Sequence, residues 1–194
     1  MVDTIKLKKV IHEGGKRGVE IDGATCMGGL LFFCTTVDEP GGDLNLIIKS
    51  VEAMNTEPDP DQEERTGGSR HIGKMVFSCD DKTLCAVAYI PESLKEKLDA
   101  EIWLKAILAP YNGKLVKASP AFSTGTIAIN SEDGKSSHEI RSEACRQAVQ
   151  YLKERDLFPE ACSDSDSEPM GDTDIVGGIE IPVLWEGQTA ECYP

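Results

Sequence analysis

Hydrophobic and polar positions alternate in two short runs on either side of a polar turn. Met75 and Phe77 alternate with Val76 and Ser78, and Leu84 to Ile90 follows the turn Asp80-Asp81-Lys82-Thr83. A period of two with a turn of this kind predicts a β-hairpin. Pro91 ends the second strand, and Leu94 and Leu98 belong to a short turn after it. Asp99 is placed to cap a helix whose apolar stripe is Ile102, Trp103, Ala106, Ile107 and Ala109, and which stops at Pro110 and Gly113. Trp103 lies within the stripe and reads as core. Strand, turn, strand and helix cannot bury their own apolar face, so the rest of the chain is expected to cover them.

Upstream, Ile5 and Leu7 alternate with Lys6 and Lys8, and Val19 and Ile21 alternate likewise, with Glu13-Gly14-Gly15-Lys16 between them. This predicts an N-terminal β-hairpin extension over residues 1–23. Lys6, Lys8, Lys9, Lys16 and Arg17 then form the solvated face of an edge hairpin. Leu30 to Val37 is a continuous apolar run too short for a helix, and predicts a central strand covered on both faces. Asp43 is placed to cap a helix carrying Leu44, Ile47, Ile48, Val51 and Met54 at helical spacing. Residues 55–73 are polar and read as an exposed loop, where Arg65, Arg70 and His71 either touch an acidic partner or are simply solvated.

Downstream, a strand is expected around Gly125 to Asn130. A helix then starts near Ser137 or His138, with Ile140, Ala144, Ala148 and Leu152 spaced four apart or at its multiple. Pro159 closes the domain. The expected fold is α/β in the α+β, two-layer sense, over residues 24–158. It has a mixed sheet of about five to six strands against about three helices. An extended acidic tail follows over 159–194.

Charge separates that tail from the rest. Residues 159–194 hold nine Asp and Glu and no Lys or Arg, so the tail carries −9 of the net −14. Acidic potential repels phosphate backbones, which makes nucleic acid an unfavoured partner and a basic protein surface a favoured one. The tail opens with the low-complexity stretch ACSDSDSEPMGDTD, in which Ser163 and Ser165 each have an acid three positions on, a spacing that suits acid-directed phosphorylation. Ile179, Ile181, Pro182, Val183, Leu184 and Trp185 then form a short apolar peptide on an acidic leash, a docking element for a protein partner. No run approaches the roughly 20 apolar residues that span a bilayer, and MVDTIKLKKVIHEGG lacks the apolar stretch of a signal peptide, so a cytoplasmic location is expected.

Catalytic chemistry is not evident. The seven cysteines (26, 34, 79, 85, 145, 162, 192) form no CxxC pair and read as reduced thiols packed as small hydrophobes. Cys34 and Cys85 fall inside strands, where a nucleophile would lack exposure. His12, His71 and His138 stand far from one another, so neither metal nor cofactor is expected. GGKRG at 14–18 lacks the spacing of a phosphate-binding loop, and no GxSxG occurs.

In order, the strand LLFFCTTV, the helix LNLIIKSVEAMN, the hairpin MVFSCDDKTLCAVAYIP and the helix DAEIWLKAILAPYNGK resemble the C-terminal, DHHA1-type domain of alanyl-tRNA synthetases over roughly residues 29–155. The glycine run of that family is matched here only by Asn112-Gly113-Lys114, followed by Leu115, Val116 and Lys117. Bulky side chains there oppose the close backbone approach that glycine permits. The resemblance implies an inherited fold with a degenerate loop and without the enzyme's catalytic domains. Two roles follow as expectations. One is a non-catalytic adaptor binding protein partners in a multi-subunit assembly, for which a cytoskeletal or ciliary setting fits although no residue selects it. The alternative is a tRNA-binding accessory module in which Lys105, Lys114 and Lys117 contact phosphates.

Overall fold

The computed structural model describes residues 4–59, 61, 64–129 and 135–158, with the backbone alone at 25–28. The tail peptide from Ile179 to Trp185 and the serines Ser163 and Ser165 lie outside the described residues. The chain divides into Met1–Glu160 and Ala161–Pro194, and every described residue belongs to the first unit. Its elements are α1 (Thr4–Gly28), β1 (Phe32–Thr36), α2 (Leu44–Met54), β2 (Gly73–Cys79), β3 (Thr83–Tyr89), α3 (Ala100–Leu108), β4 (Lys114–Lys117), β5 (Phe122–Ala128) and α4 (Ser137–Lys153).

The five strands form one mixed sheet in the order β1-β2-β3-β5-β4. β1 runs parallel to β2, and the other neighbours are antiparallel. The expected hairpin is present, with Met75 opposite Ala88 and Phe77 opposite Ala86. Alternation then sorts the side chains to two faces. Phe32, Met75, Phe77, Leu84, Ala86, Ala88 and Ile127 pack with Trp103 and Leu104 of α3 and with Ala144 and Ala148 of α4. Val76, Cys85 and Val87 face the other way and pack with Ile47, Val51 and Met54 of α2 and Ile21 of α1. The mixed sheet and α+β class are as expected, but the helices cover both faces where two layers were foreseen.

The N-terminal hairpin is corrected. Residues 4–28 form one helix, α1. Leu7, Val10, Gly14, Gly18 and Ile21 recur at spacings of three and four, which is helical. The glycines read as turn residues are the contact face. A Cβ at Gly14 would lie 2.5 Å from the Ser50 carbonyl oxygen, and one at Gly18 would lie 2.8 Å from that of Met54. Two small residues a turn apart thus let α1 approach the backbone of α2. At the loop after β1, Glu13 accepts hydrogen bonds from the amides of Asp38 (2.8 Å) and Glu39 (2.9 Å). The segment is therefore part of the fold, not an extension of it.

The caps expected at Asp43 and Asp99 form: Asp43 accepts from the amides of Asn45 and Leu46, and Asp99 from those of Glu101 and Ile102. Ser136 with Glu139 adds a capping box that was not foreseen. Two placements differ. The strand expected to be central, β1, stands at a sheet edge, although Phe32 faces one core and Val37 the other. The buried stripe of α3 is Trp103, Leu104, Ile107 and Leu108, while Ile102 is 59% exposed and Ala109 is also at the surface. Trp103 is core as expected. It meets Phe32 edge-on at 6.3 Å, and its Nε1 donates to the Ala148 carbonyl oxygen across to α4. No described helix is long and apolar enough to cross a membrane.

Candidate interaction site at the sheet edge

The strand β4 was not foreseen, and it brings together two of the three lysines considered for binding. Its position follows from how α3 ends. Pro110 stands in a single 3-10 turn over Ala109–Tyr111, and Asn112 adopts a left-handed conformation at φ 50°. The amide of Gly113 then donates to the carbonyl oxygen of Leu108. A Cβ at Gly125 would lie 2.5 Å from Leu108 Cδ1, so glycine there lets α3 seat Leu108 directly on β5. The chain leaves this corner as Lys114-Leu115-Val116-Lys117 and pairs with β5 on one side only.

The return turn is fixed by side chains. Ser119 Oγ accepts from the Phe122 amide and donates to the Phe122 carbonyl oxygen, and Ser123 Oγ accepts from the Ser119 amide. The Ala121 carbonyl receives the Ile90 amide, and the Pro120 carbonyl receives that of Ala100. This anchors the register of β4 to both the hairpin and α3.

Lys114 pairs with Thr126, Leu115 with Gly125 and Lys117 with Thr124, so Val116 is the extra residue of a bulge. Lys114 and Lys117 share the face of Thr126 and Thr124, which is the face of Cys85 and Val87. Leu115 turns to the opposite core and is half-buried. Lys114, Val116 and Lys117 are exposed, Val116 by 59%. Lys117 Nζ lies 5.4 Å from the Phe122 ring centroid, which holds its stem against the sheet. Neither lysine is ion-paired among the described residues. Lys105 does not join them. It sits on α3, against the other face, where its Nζ lies 2.5 Å from Glu101.

Other candidates disperse. The basic residues of the loop before β2 turn partly to their own chain: Arg65 lies 2.8 Å and His71 3.7 Å from Asp22, and Arg70 lies 3.9 Å from Glu57. Burial, with Cys145 nearby, pushes the Cys34 thiol up. Burial with Asp43 and Asp80 pushes Cys85 up to about 12, and its Sγ donates to the Gly42 carbonyl oxygen. Thiols so placed are poor nucleophiles. No cluster of His, Cys, Asp and Glu fit to hold a metal ion occurs among the described residues.

One residue escaped the sequence pattern altogether. Lys74, at the start of β2, is fully buried, and its Nζ donates to Asn55 Oδ1 (2.5 Å), the Ser69 carbonyl oxygen (2.6 Å) and Ser69 Oγ (2.8 Å). Burial lowers its pKa to about 7. The parity of β2, which puts position 74 with the inward Val76, was the available signal.

No family model matches the sequence, and no curated protein matches it significantly. Among solved structures, the chain is similar to the C-Ala domain of alanyl-tRNA synthetase from Aquifex aeolicus, at 13% identity and a TM-score of 0.42, over 67% of this chain and 94% of that one. Two nucleotide-free structures of the catalytic domain of histidine kinase ThkA align at 18% identity and a TM-score of 0.20, over 63% and 62% of this chain and 92% of each of theirs. At these TM-scores neither likeness carries an argument about what this chain binds.

Proposed function

We propose that the chain is a non-catalytic adaptor and that β4 is where an extended segment of a protein partner adds to the sheet. One observation carries this reading: β4 is a sheet edge, paired on one side, whose exposed residues are two unpaired lysines around an apolar one. Strand addition draws affinity from main-chain hydrogen bonds and specificity from alternate side chains. A second copy is a poor occupant. Antiparallel pairing of two β4 strands would set Lys114 across from Lys117, and like charges directly opposite are destabilising. An acidic strand with apolar residues beside its carboxylates is the complementary one. The acidic tail peptide around Ile179 to Trp185 belongs to this reading as a separate anchor for a partner within a larger assembly.

Affinity capture from a cell extract, compared between the native chain, Lys114→Glu/Lys117→Glu and Val116→Pro, tests the proposal. Partners bound through β4 are lost from both variants, because one reverses the charge and the other removes a main-chain donor. A partner set unchanged in both would end it. Deleting residues 160–194 tests the tail anchor independently.

A tRNA-binding role is the second reading, favoured by the same unpaired Lys114 and Lys117 on one face. It predicts binding of tRNA that weakens steeply with salt and is lost on reversing the two lysines. No binding at low salt removes it.

A further inference from the structure

A cleft of about 620 Å³ opens where the turn after α2, residues 68–71 and the segment from Tyr89 to Ser93 meet. Its walls combine the ring of Tyr89 with Pro58 and Pro91, and its polar groups include Asn55, Arg70 and His71. Behind Asn55 and Tyr89 lies the buried ammonium of Lys74, 5.1 Å from the Tyr89 ring centroid. Lysine is almost never fully buried unless paired with a carboxylate. Here all three acceptors are neutral: Asn55 Oδ1, the Ser69 carbonyl oxygen and Ser69 Oγ. The charge is solvated by dipoles and, among the described residues, is in no ion pair.

That arrangement also sets the chemistry of the cleft wall. Lys74 takes the carbonyl end of the Asn55 amide, so Nδ2, a donor, is the end left for a ligand. The Tyr89 hydroxyl is committed, donating to the Arg70 carbonyl oxygen, and this fixes the turn that carries Arg70. The Arg70 guanidinium lies beside the Tyr89 hydroxyl, whose pKa it pulls down against the effect of burial, and its ion contact to Glu57 is long, at 3.9 Å. Donors thus face an apolar-walled space with a positive charge behind them.

We propose that this cleft binds a small organic carboxylate, held by Asn55 Nδ2 and the fork of Arg70, with its apolar body on Tyr89 and the prolines and the Lys74 ammonium as its buried counter-charge. A planar guanidinium matches a carboxylate in two hydrogen bonds. A monoanion fits better than a phosphate dianion because Glu57 and Glu92 also border the cleft. The charged groups that border the cleft beside Lys74 are Arg70, His71, Glu57 and Glu92; burial is what shifts Lys74 itself, and Asp22 of α1 is engaged by Arg65 at 2.8 Å. Ligand binding holds the proton on Lys74, so affinity falls as pH rises past about 7.

Titration of the full chain with benzoate, followed by amide NMR, tests the site, with benzamide as the uncharged probe of the same shape. Benzoate is expected to shift the resonances of residues 55–58, 68–71 and 89–93, and benzamide to leave them in place. Arg70→Ala, at an exposed position whose main-chain carbonyl the substitution leaves in place, is expected to weaken benzoate about tenfold or more. In a His71→Ala background, which removes the histidine from the profile, benzoate affinity is expected to fall between about pH 6 and about pH 8.5 and to become flat when Lys74→Met is added. Equal effects of benzoate and benzamide, or native affinity in Arg70→Ala, would overturn the proposal. Tighter binding of inorganic phosphate than of benzoate would overturn the carboxylate assignment.

Discussion

Lys74 shows how a single residue sets a pH dependence. Its folded pKa, about 7, lies below the ordinary lysine value because burial disfavours the charged form. The unfolded chain therefore binds more protons between about pH 7 and the ordinary lysine value of about 10.4, and stability rises with pH across that window. Below about pH 7 both states are protonated, and the penalty of burying the charge is fully present. The cleanest interval is about pH 7 to 8.5, because the buried thiols and Tyr89 are pushed up and prefer neutrality above it. Urea midpoints are expected to climb over that interval in the native chain and to climb less in Lys74→Met. Equal slopes would contradict the assignment. At the same scale, Trp103 fills the space between the sheet and α4, and Trp103→Ala is expected to destabilise by about 3–5 kcal/mol.

Among the elements, α1 and α2 offer the sharpest contrast. A Cβ at Gly18 would meet the Met54 carbonyl oxygen and the Gly67 Cα at less than a normal contact, whereas one at Gly23 meets nothing within 4 Å. Gly18→Val is expected to destabilise by about 1–3 kcal/mol through overpacking. Gly23→Ala is expected to stabilise by about 0.5–1 kcal/mol, by helix propensity alone. Thermal unfolding distinguishes them, and equal effects would mean that α1 does not rest on α2 through its glycines. The same glycines explain what the sequence concealed. Hydrophobicity marks Leu7, Val10 and Ile21, but the middle of the buried stripe is Gly14 and Gly18, which carry no apolar signal and look like a turn. β4 was hidden differently, as four residues with a lysine at each end have no period to detect. The hairpin of β2 and β3, and the caps at Asp43 and Asp99, were legible because alternation and side-chain capping are local. The register that sends Lys105 to one face and Lys114 and Lys117 to the other is long-range, and no local pattern holds it.

For the molecule as a whole, the layers decide what is left to bind. Helices cover both faces of the sheet, so new main-chain hydrogen bonds are available at its edges. β1 has α4 against it, tied further by the ion pair between Arg141 and Asp38. β4 ends the sheet with Val116 bulged outward between unpaired lysines. Hydrogen exchange of the full chain, with and without an extended peptide of alternating Glu and Val, tests strand addition most directly. The account predicts slowed exchange at the β4 amides, little change at β1, and loss of the effect in Lys114→Glu/Lys117→Glu. Protection that is absent from β4, or that persists unchanged in that variant, would contradict it.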